Sequence, residues 1–222
     1  MPSALPILYC DEHLAIVDKP SGLLVHRGWG TDAVVAMTLL RDQLGRTVYP
    51  VHRLDRGTSG ALAFALEKAA ARALHALFED GRARKRYLAL VRGVPPESGV
   101  IDHAIPNKPD GPRVSAVTEF WRLATVDRFS LVEAEPRTGR LHQIRRHLKH
   151  LGHPLVGDVN YGRGEINRLF RERYGMHRLA LHARSLAFEH PQTGAPVAVR
   201  APLPPDLREP LARLGFASDL LG

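Results

Sequence analysis

The sequence has one cysteine, Cys10, in 222 residues. A single thiol excludes an internal disulfide and a thiolate metal cage. No apolar run approaches the roughly 18 residues that a membrane span needs. The first ten residues, MPSALPILYC, lack the charged-then-apolar order of a secretory signal. There is no GxGxxG or GxxxxGKS/T phosphate loop, and no GxSxG elbow. The usual marks of nucleotide-dependent and serine-hydrolase chemistry are therefore missing. A cytoplasmic setting with no membrane partner fits these absences. Lysine is also scarce: the chain has 5 Lys against 26 Arg.

The chain does have enough apolar residues, 44%, to bury a core. It also carries a net charge of +8 and a pI of about 10.1. The guanidinium fork binds phosphate through two parallel bonds and stacks on bases. Arginine-led positive charge on a chain of this size points to a polyanion, of which nucleic acid is the usual one. A bias of composition towards arginine would give the same charge with no such partner.

Short strand patterns alternate with helix patterns along the chain. ILYC and HLAIVDK read as a hairpin, followed by turn chemistry in KPSG, Lys19 to Gly22. DAVVAMTLLRDQL, 32–44, reads as a helix with Asp32 as its cap and Gly45 as its end. ALAFAL, 61–66, reads as a buried strand. A second helix runs from Lys68 to Asp80 with Leu74, Leu77 and Phe78 on one face. ARKRYLALVRG alternates as a strand with one better-covered face does. Residues 94–116 read as loops around one short strand. VTEFWRLATV and FSLVEAEP read as two strands joined near Asp127. Residues 140–151 are a third helix, MHRLALHARSLAFEHP holds a strand, and PPDLREPLARL is a short terminal helix. The pattern predicts an α+β fold in one catalytic-type domain, 1–222, around a mixed, mostly antiparallel sheet with flanking helices.

Three stretches can carry chemistry. In VHRLDRGTSG, Asp55 sits between Arg53 and Arg56 just before a small-residue turn. It can cap that turn as an ion-paired carboxylate, or stay ionised for nucleophilic work. In RTGRLHQIRRHLKHLGHP, a helix begun at Leu141 places Leu141, Ile144, Leu148 and Leu151 in one apolar arc, with Arg145 on its border. A partly buried arginine calls for an anion; the alternatives are backbone carbonyls or a snorkelling stem. Arg146 and Lys149 face solvent on this reading. The RTGR turn, with Arg137 and Arg140, can bind phosphate through backbone N–H groups. The four histidines of this stretch, His142, His147, His150 and His153, are spaced 5, 3 and 3 apart. They do not make the i, i+4 pair of zinc helices, so no metal is expected. Third, Tyr87 in KRYLALVRG is either packing or a proton carrier or base platform.

Taken together, DKPSGLLVH, HRLDRGTSG, KRYLALVRG and RTGRLHQIRRHLKHLGHPLVGD resemble, in order and spacing, the four motifs of the RluA-type pseudouridine synthases. The resemblance runs from about Ile7 to Leu203. It implies an enzyme that isomerises uridine to pseudouridine in RNA with no metal and no cofactor. It makes Asp55 the catalytic nucleophile, Tyr87 the active-site tyrosine, and Arg145 the arginine paired with the catalytic carboxylate. Ile144 becomes an apolar pocket wall. Arg53, Arg56, Arg137, Arg140, His142 and Arg146 are the expected substrate contacts. Arg146-His147 after HQIR, and MTLLRDQLG leading into VHRLDRGTSG, are similar to the branch that acts on uridine 65 of tRNA. Family members with an N-terminal S4 RNA-binding domain begin further upstream, so no S4 domain is expected. No apolar surface stripe is left over, so a monomer is expected.

Overall fold

The computed structural model describes residues 4–27, 34–108 and 111–222. In chain order the elements are β1 Ile7–Cys10, β2 Leu14–Lys19, α1 Ala36–Leu44, β3 Tyr49–Pro50, β4 Ser59–Ala65, α2 Lys68–Glu79 and β5 Arg84–Arg92. Then follow β6 Ser98–Asp102, β7 Ile105–Pro106, β8 Arg113–Val114, β9 Val117–Val126, β10 Phe129–Pro136 and α3 Gln143–His150. The chain ends with α4 Gly164–Leu169, a π turn at Phe170–Tyr174, β11 Leu181–Glu189, β12 Pro196–Arg200, α5 Pro205–Leu214 and a 3-10 turn at Ser218–Leu221. This is the α+β, mostly antiparallel arrangement that the alternating patterns predict. Two compact units share the chain: residues 1–85 with 183–202, and residues 86–182 with 203–222.

In the first unit β1, β2 and β4 form an antiparallel run, with Leu14 opposite Ala65 and Lys19 opposite Gly60. β12 pairs with β11, Ser185 facing Arg200. Helix α2 buries Ala70, Ala71, Leu74 and Leu77 against Leu14, Ile16, Ala63 and Phe188. Small side chains dominate β4, so the helix approaches the sheet closely. Helix α1 ends as its sequence says, at Gly45 in the left-handed region. Its N-cap is Val35, and the expected Asp32 cap lies outside the described residues.

In the second unit β5, β10, β9 and β6 lie side by side in that order, each pair antiparallel. The turn between β9 and β10 holds Asp127 at φ 52°. The core gathers Leu88, Leu90, Phe129, Leu131, Phe170 and Leu211. Three expectations need correction here. Tyr87 to Val91 are buried without alternation, so β5 is covered on both faces. The described residues of 94–116 contain three short strands, not one. The α4 helix and its π turn were not foreseen; Ile166, Phe170 and Tyr174 supply their buried face at spacings of four.

Gly60 in the TSG turn shows why its side chain is hydrogen. It sits at φ +111°, and a Cβ there would land on the Ala183 carbonyl oxygen. Gly60→Ala therefore combines a left-handed residue with a backbone overlap that no side-chain motion relieves. A loss of about 2–4 kcal/mol is expected from the two effects. Urea unfolding measures it, and an unchanged midpoint contradicts the fit.

Candidate active site

The Asp55 loop is held from below by the KPSG turn. Lys19 is fully buried, and its ammonium donates to the carbonyls of Pro20 (2.9 Å), Leu23 (2.8 Å) and Arg56 (3.4 Å). The Gly22 N–H donates to the Arg56 carbonyl at 2.8 Å, and Ser21 Oγ to the Gly57 carbonyl at 2.9 Å. A buried cation satisfied this way fixes the backbone around it, because each carbonyl lost would leave charge uncompensated. Within the loop the Thr58 N–H closes on the Asp55 carbonyl at 3.0 Å. Asp55 stands half-buried in this turn, with Arg53 and Arg56 exposed on either side.

His52 explains how the loop leaves the sheet. β3 pairs with β4 at Tyr49–Ala65 and Pro50–Phe64, then stops. Two residues along β4 from Ala65, the Ala63 N–H would lack a strand acceptor; it donates to His52 Nε2 at 3.0 Å. That bond requires a neutral ring with its proton on Nδ1. The ring stacks on Phe78 with centroids 4.6 Å apart, and Lys85 Nζ lies 5.5 Å from the same Phe78 ring. Burial, with the positive charges of Lys85 and His75, pushes the His52 pKa down to about 3. Burial lowers Lys85 as well.

In the second unit the helix starts later than its apolar arc suggests. His142 is left-handed at φ 55°, and α3 begins at Gln143. Gln143 is the reason for the tight turn before it. Its Oε1 accepts from Thr138 Oγ1 (2.7 Å) and the Arg140 N–H (3.0 Å), while its Nε2 donates to the Val117 carbonyl and Thr118 Oγ1, both at 2.9 Å. The RTGR turn is thus stapled to β9. Arg145 is only 7% exposed, deeper than the border position predicts. Its Nε and Nη2 donate to Asp158 at 2.7 and 2.8 Å. Asp158 is 1% exposed and also accepts the N–H groups of Asn160 and Tyr161, both at 3.0 Å. Desolvation pushes the Asp158 pKa up, but Arg145 and the two amides outweigh it and hold the carboxyl below its usual range.

The expected contacts sort as follows. Ile144 is buried, 6% exposed, on the inner face of α3, and Tyr87 is 8% exposed on β5 opposite Ala134. Arg146 donates to Tyr161 Oη at 2.9 Å and to the Pro106 carbonyl at 2.7 Å; His142 Nδ1 meets the same hydroxyl at 3.0 Å. Arg140 donates to the Ser115 carbonyl. Arg137 binds both oxygens of Glu119 at 2.9 and 2.8 Å, and reaches Glu135 at 2.7 Å, so its fork is engaged within the protein. The other histidines of this stretch go to separate partners. His147 bonds Thr118 and the His103 carbonyl, His150 stacks on His103, and His153 meets the Arg92 carbonyl. Among the described residues no group of three or more His, Cys, Asp or Glu is placed to hold a metal ion. No helix among them is long and apolar enough to cross a membrane.

An α+β chain with a carboxylate loop tied to a buried lysine, and a buried arginine at the start of a helix, matches one known class. The family model described as RNA pseudouridylate synthase matches residues 13–150, and the chain belongs to that family, of the RluA type. It is a pseudouridine synthase, an isomerase acting on RNA. Among curated proteins it is similar to tRNA pseudouridine synthase C of Vibrio cholerae, 42% identical over 98% of both chains. It is 44% identical to the Haemophilus ducreyi protein of the same name, over 89% of this chain and 90% of that one. Among solved structures it is similar to human RNA Pseudouridylate Synthase Domain Containing 4, at 27% identity and a TM-score of 0.78, covering 94% and 92% of the two chains.

Two predictions follow from the bonds themselves. Asp158→Asn removes the charge that meets the Arg145 fork through two bonds, and a loss of about 3–5 kcal/mol is expected from breaking such a buried pair. Because the folded carboxyl titrates below the unfolded one, wild type should keep this contribution above about pH 4 and lose it as pH falls further. The variant should lack that acid slope in urea unfolding; an identical slope rules the pairing out as its source. For His52 the unfolded ring takes a proton below about pH 6.5 while the folded ring waits until about pH 3. Stability should therefore fall as pH drops through that window. His52→Gln keeps an acceptor for the Ala63 N–H and should flatten the decline. His52→Leu should cost about 1–3 kcal/mol at neutral pH by orphaning that N–H.

Proposed function

We propose that the chain isomerises uridine 65 of tRNA to pseudouridine, with Asp55 as nucleophile. The name carried by its relatives supports tRNA as substrate. The observation that carries the catalytic assignment is the Asp55 loop itself: a half-buried carboxylate on a turn whose backbone is fixed by Lys19, Ser21 and Gly22. A nucleophile on a loop held by rigid elements is the usual way to place reactive groups with accuracy. We further propose that residues 1–222 act as one catalytic domain and as a monomer. The family match from 13 to 150 runs through both units and supports the first of these.

The reaction then runs as follows. The uridine leaves its stack, because C5 is unreachable in a helix. Asp55 attacks the ribose C1′, or assists departure there, and the N1–C1′ bond breaks. The freed uracil rotates and C5 bonds to C1′ as any bond from Asp55 to C1′ breaks and returns the carboxylate; the C5 proton leaves and N1 gains one. Atoms and electrons balance within the nucleotide, so no oxidant or co-reactant is needed. Tyr87 participates in moving the C5 proton. Arg145 is the arginine paired with the catalytic carboxylate, and Ile144 lines the base pocket. The assignments of Tyr87, Arg145 and Ile144 are supported by their motif positions.

Tritium release from C5-labelled uridine in tRNA tests this reading. Wild type should release label, with the new pseudouridine mapping to position 65. Asp55→Asn should lower release by roughly four orders of magnitude, as loss of a nucleophile does, while still binding tRNA. Turnover retained by the variant sinks the assignment of Asp55. Release that maps to rRNA or to another tRNA position keeps the chemistry and overturns the target. A wild type that binds RNA without releasing label overturns both.

A further inference from the structure

The second unit carries a groove that the catalytic assignments do not use. It encloses about 620 Å³ and is lined by Lys149 and Gly152 after α3, and by Asn160, Tyr161, Arg163 and Glu165 on the following loop. That size lies within the range of ordinary ligand sites. The loop is built, not loose. The Asp158 carboxylate takes the N–H groups of Asn160 and Tyr161 while holding Arg145. Gly162 packs where a Cβ would strike the Asp158 carbonyl, so its glycine is required. Gly152 and Gly164 face open space, where a Cβ would meet nothing within 4 Å.

The charge distribution is the second observation. In this unit Arg86, Arg137, Arg145, Arg178 and Arg213 each pair with a carboxylate. Among the described residues Arg146, Lys149 and Arg163 pair with none. Arg146 and Lys149 converge instead on Tyr161, at 5.6 and 5.7 Å from its ring centroid, with Arg145 at 5.0 Å. Cations gathered on one ring repel each other, and the ring quadrupole offsets only part of that repulsion. Three cations without a carboxylate, two of them on the wall of one groove, leave a positive field there that an external anion can meet.

We propose that this groove binds a phosphodiester segment of the RNA substrate, with Lys149 and Arg163 on the phosphates. Asn160 and Glu165 are then placed to meet ribose hydroxyls or base edges, since an amide and a carboxylate recognise hydroxyl and amino donors. The groove adds affinity and register and takes no part in bond making. This inference rests on the RNA-synthase reading above.

The test uses the full chain and unmodified tRNA, with binding measured across a salt series. Lys149→Ala/Arg163→Ala should weaken binding about tenfold, and should reduce the slope of log affinity against log salt by about 1.4–1.8, the share of two phosphate contacts. Glu165→Gln should move affinity the other way by removing a repelling charge. Both side chains of the double variant are exposed, so its thermal midpoint should match wild type. Inorganic tripolyphosphate serves as the second probe. If it competes with tRNA less well against the double variant than against wild type, the groove is an anion site. If its binding changes while tRNA affinity and slope do not, the groove takes free phosphate and the RNA assignment is overturned. An unchanged affinity and slope in a folded double variant overturns the proposal, whereas wild type inactive on every RNA sinks the reading beneath it.

Discussion

Asp158 has its carboxylate at 1% exposure and accepts four hydrogen bonds, two from Arg145 and one each from the Asn160 and Tyr161 amides. One oxygen thereby orients the arginine and shapes the loop at the same time. A guanidinium that is 7% exposed is stable only with such a partner. The loop it shapes carries Tyr161, whose hydroxyl then fixes Arg146 and His142. The left-handed His142 and the late start of α3 follow, because that ring must turn back to reach Tyr161. Remove the carboxylate and the arginine, the loop and the helix start lose their common anchor.

Lys19 has the corresponding place in the first unit. Both anchors are buried charges on short motifs: Lys19 binds backbone carbonyls, and Asp158 binds backbone amides and the Arg145 side chain. A charge that binds carbonyls or amides constrains chain path, which a packed leucine does not do with comparable precision. Motif residues such as Lys19, Gln143 and Asp158 therefore read as placement devices for the side chains next to them. Gly60 acts by the complementary route, since its missing Cβ is what lets the Ala183 carbonyl approach.

Element type was readable from the sequence wherever periodicity was strong. The β1–β2 hairpin, α2, the β9–β10 pair and α5 all lie where their patterns predict. The α4 segment was not read because its buried residues at spacings of four are interleaved with arginines and a glutamate. The burial of Arg145 was legible from the helix arc, but its anion was not. Asp158 lies 13 residues away on a loop, and loop proximity leaves no period to read. His52 was missed for a similar reason: its role is to replace one strand acceptor, visible only once β3 is seen to stop at Pro50. The resemblance of four motifs supplied Asp55 as nucleophile, where local reasoning favoured a turn cap.

The same contrast bears on charge. A total of +8 in the sequence cannot separate a polyanion partner from an arginine-rich composition. Partnering does separate them. Arginine fixed to glutamate, as Arg137 is by Glu119 and Glu135, contributes little field beyond its neighbours. A cation without a carboxylate keeps its field, and several on one wall of a groove add theirs together. Net charge is thus a weak argument for nucleic acid, and the position of the unmatched charges a stronger one. Three of them, Arg146, Lys149 and Arg163, lie beside the loop that Asp158 builds, so the anchor that buries one arginine also places positive field along this groove.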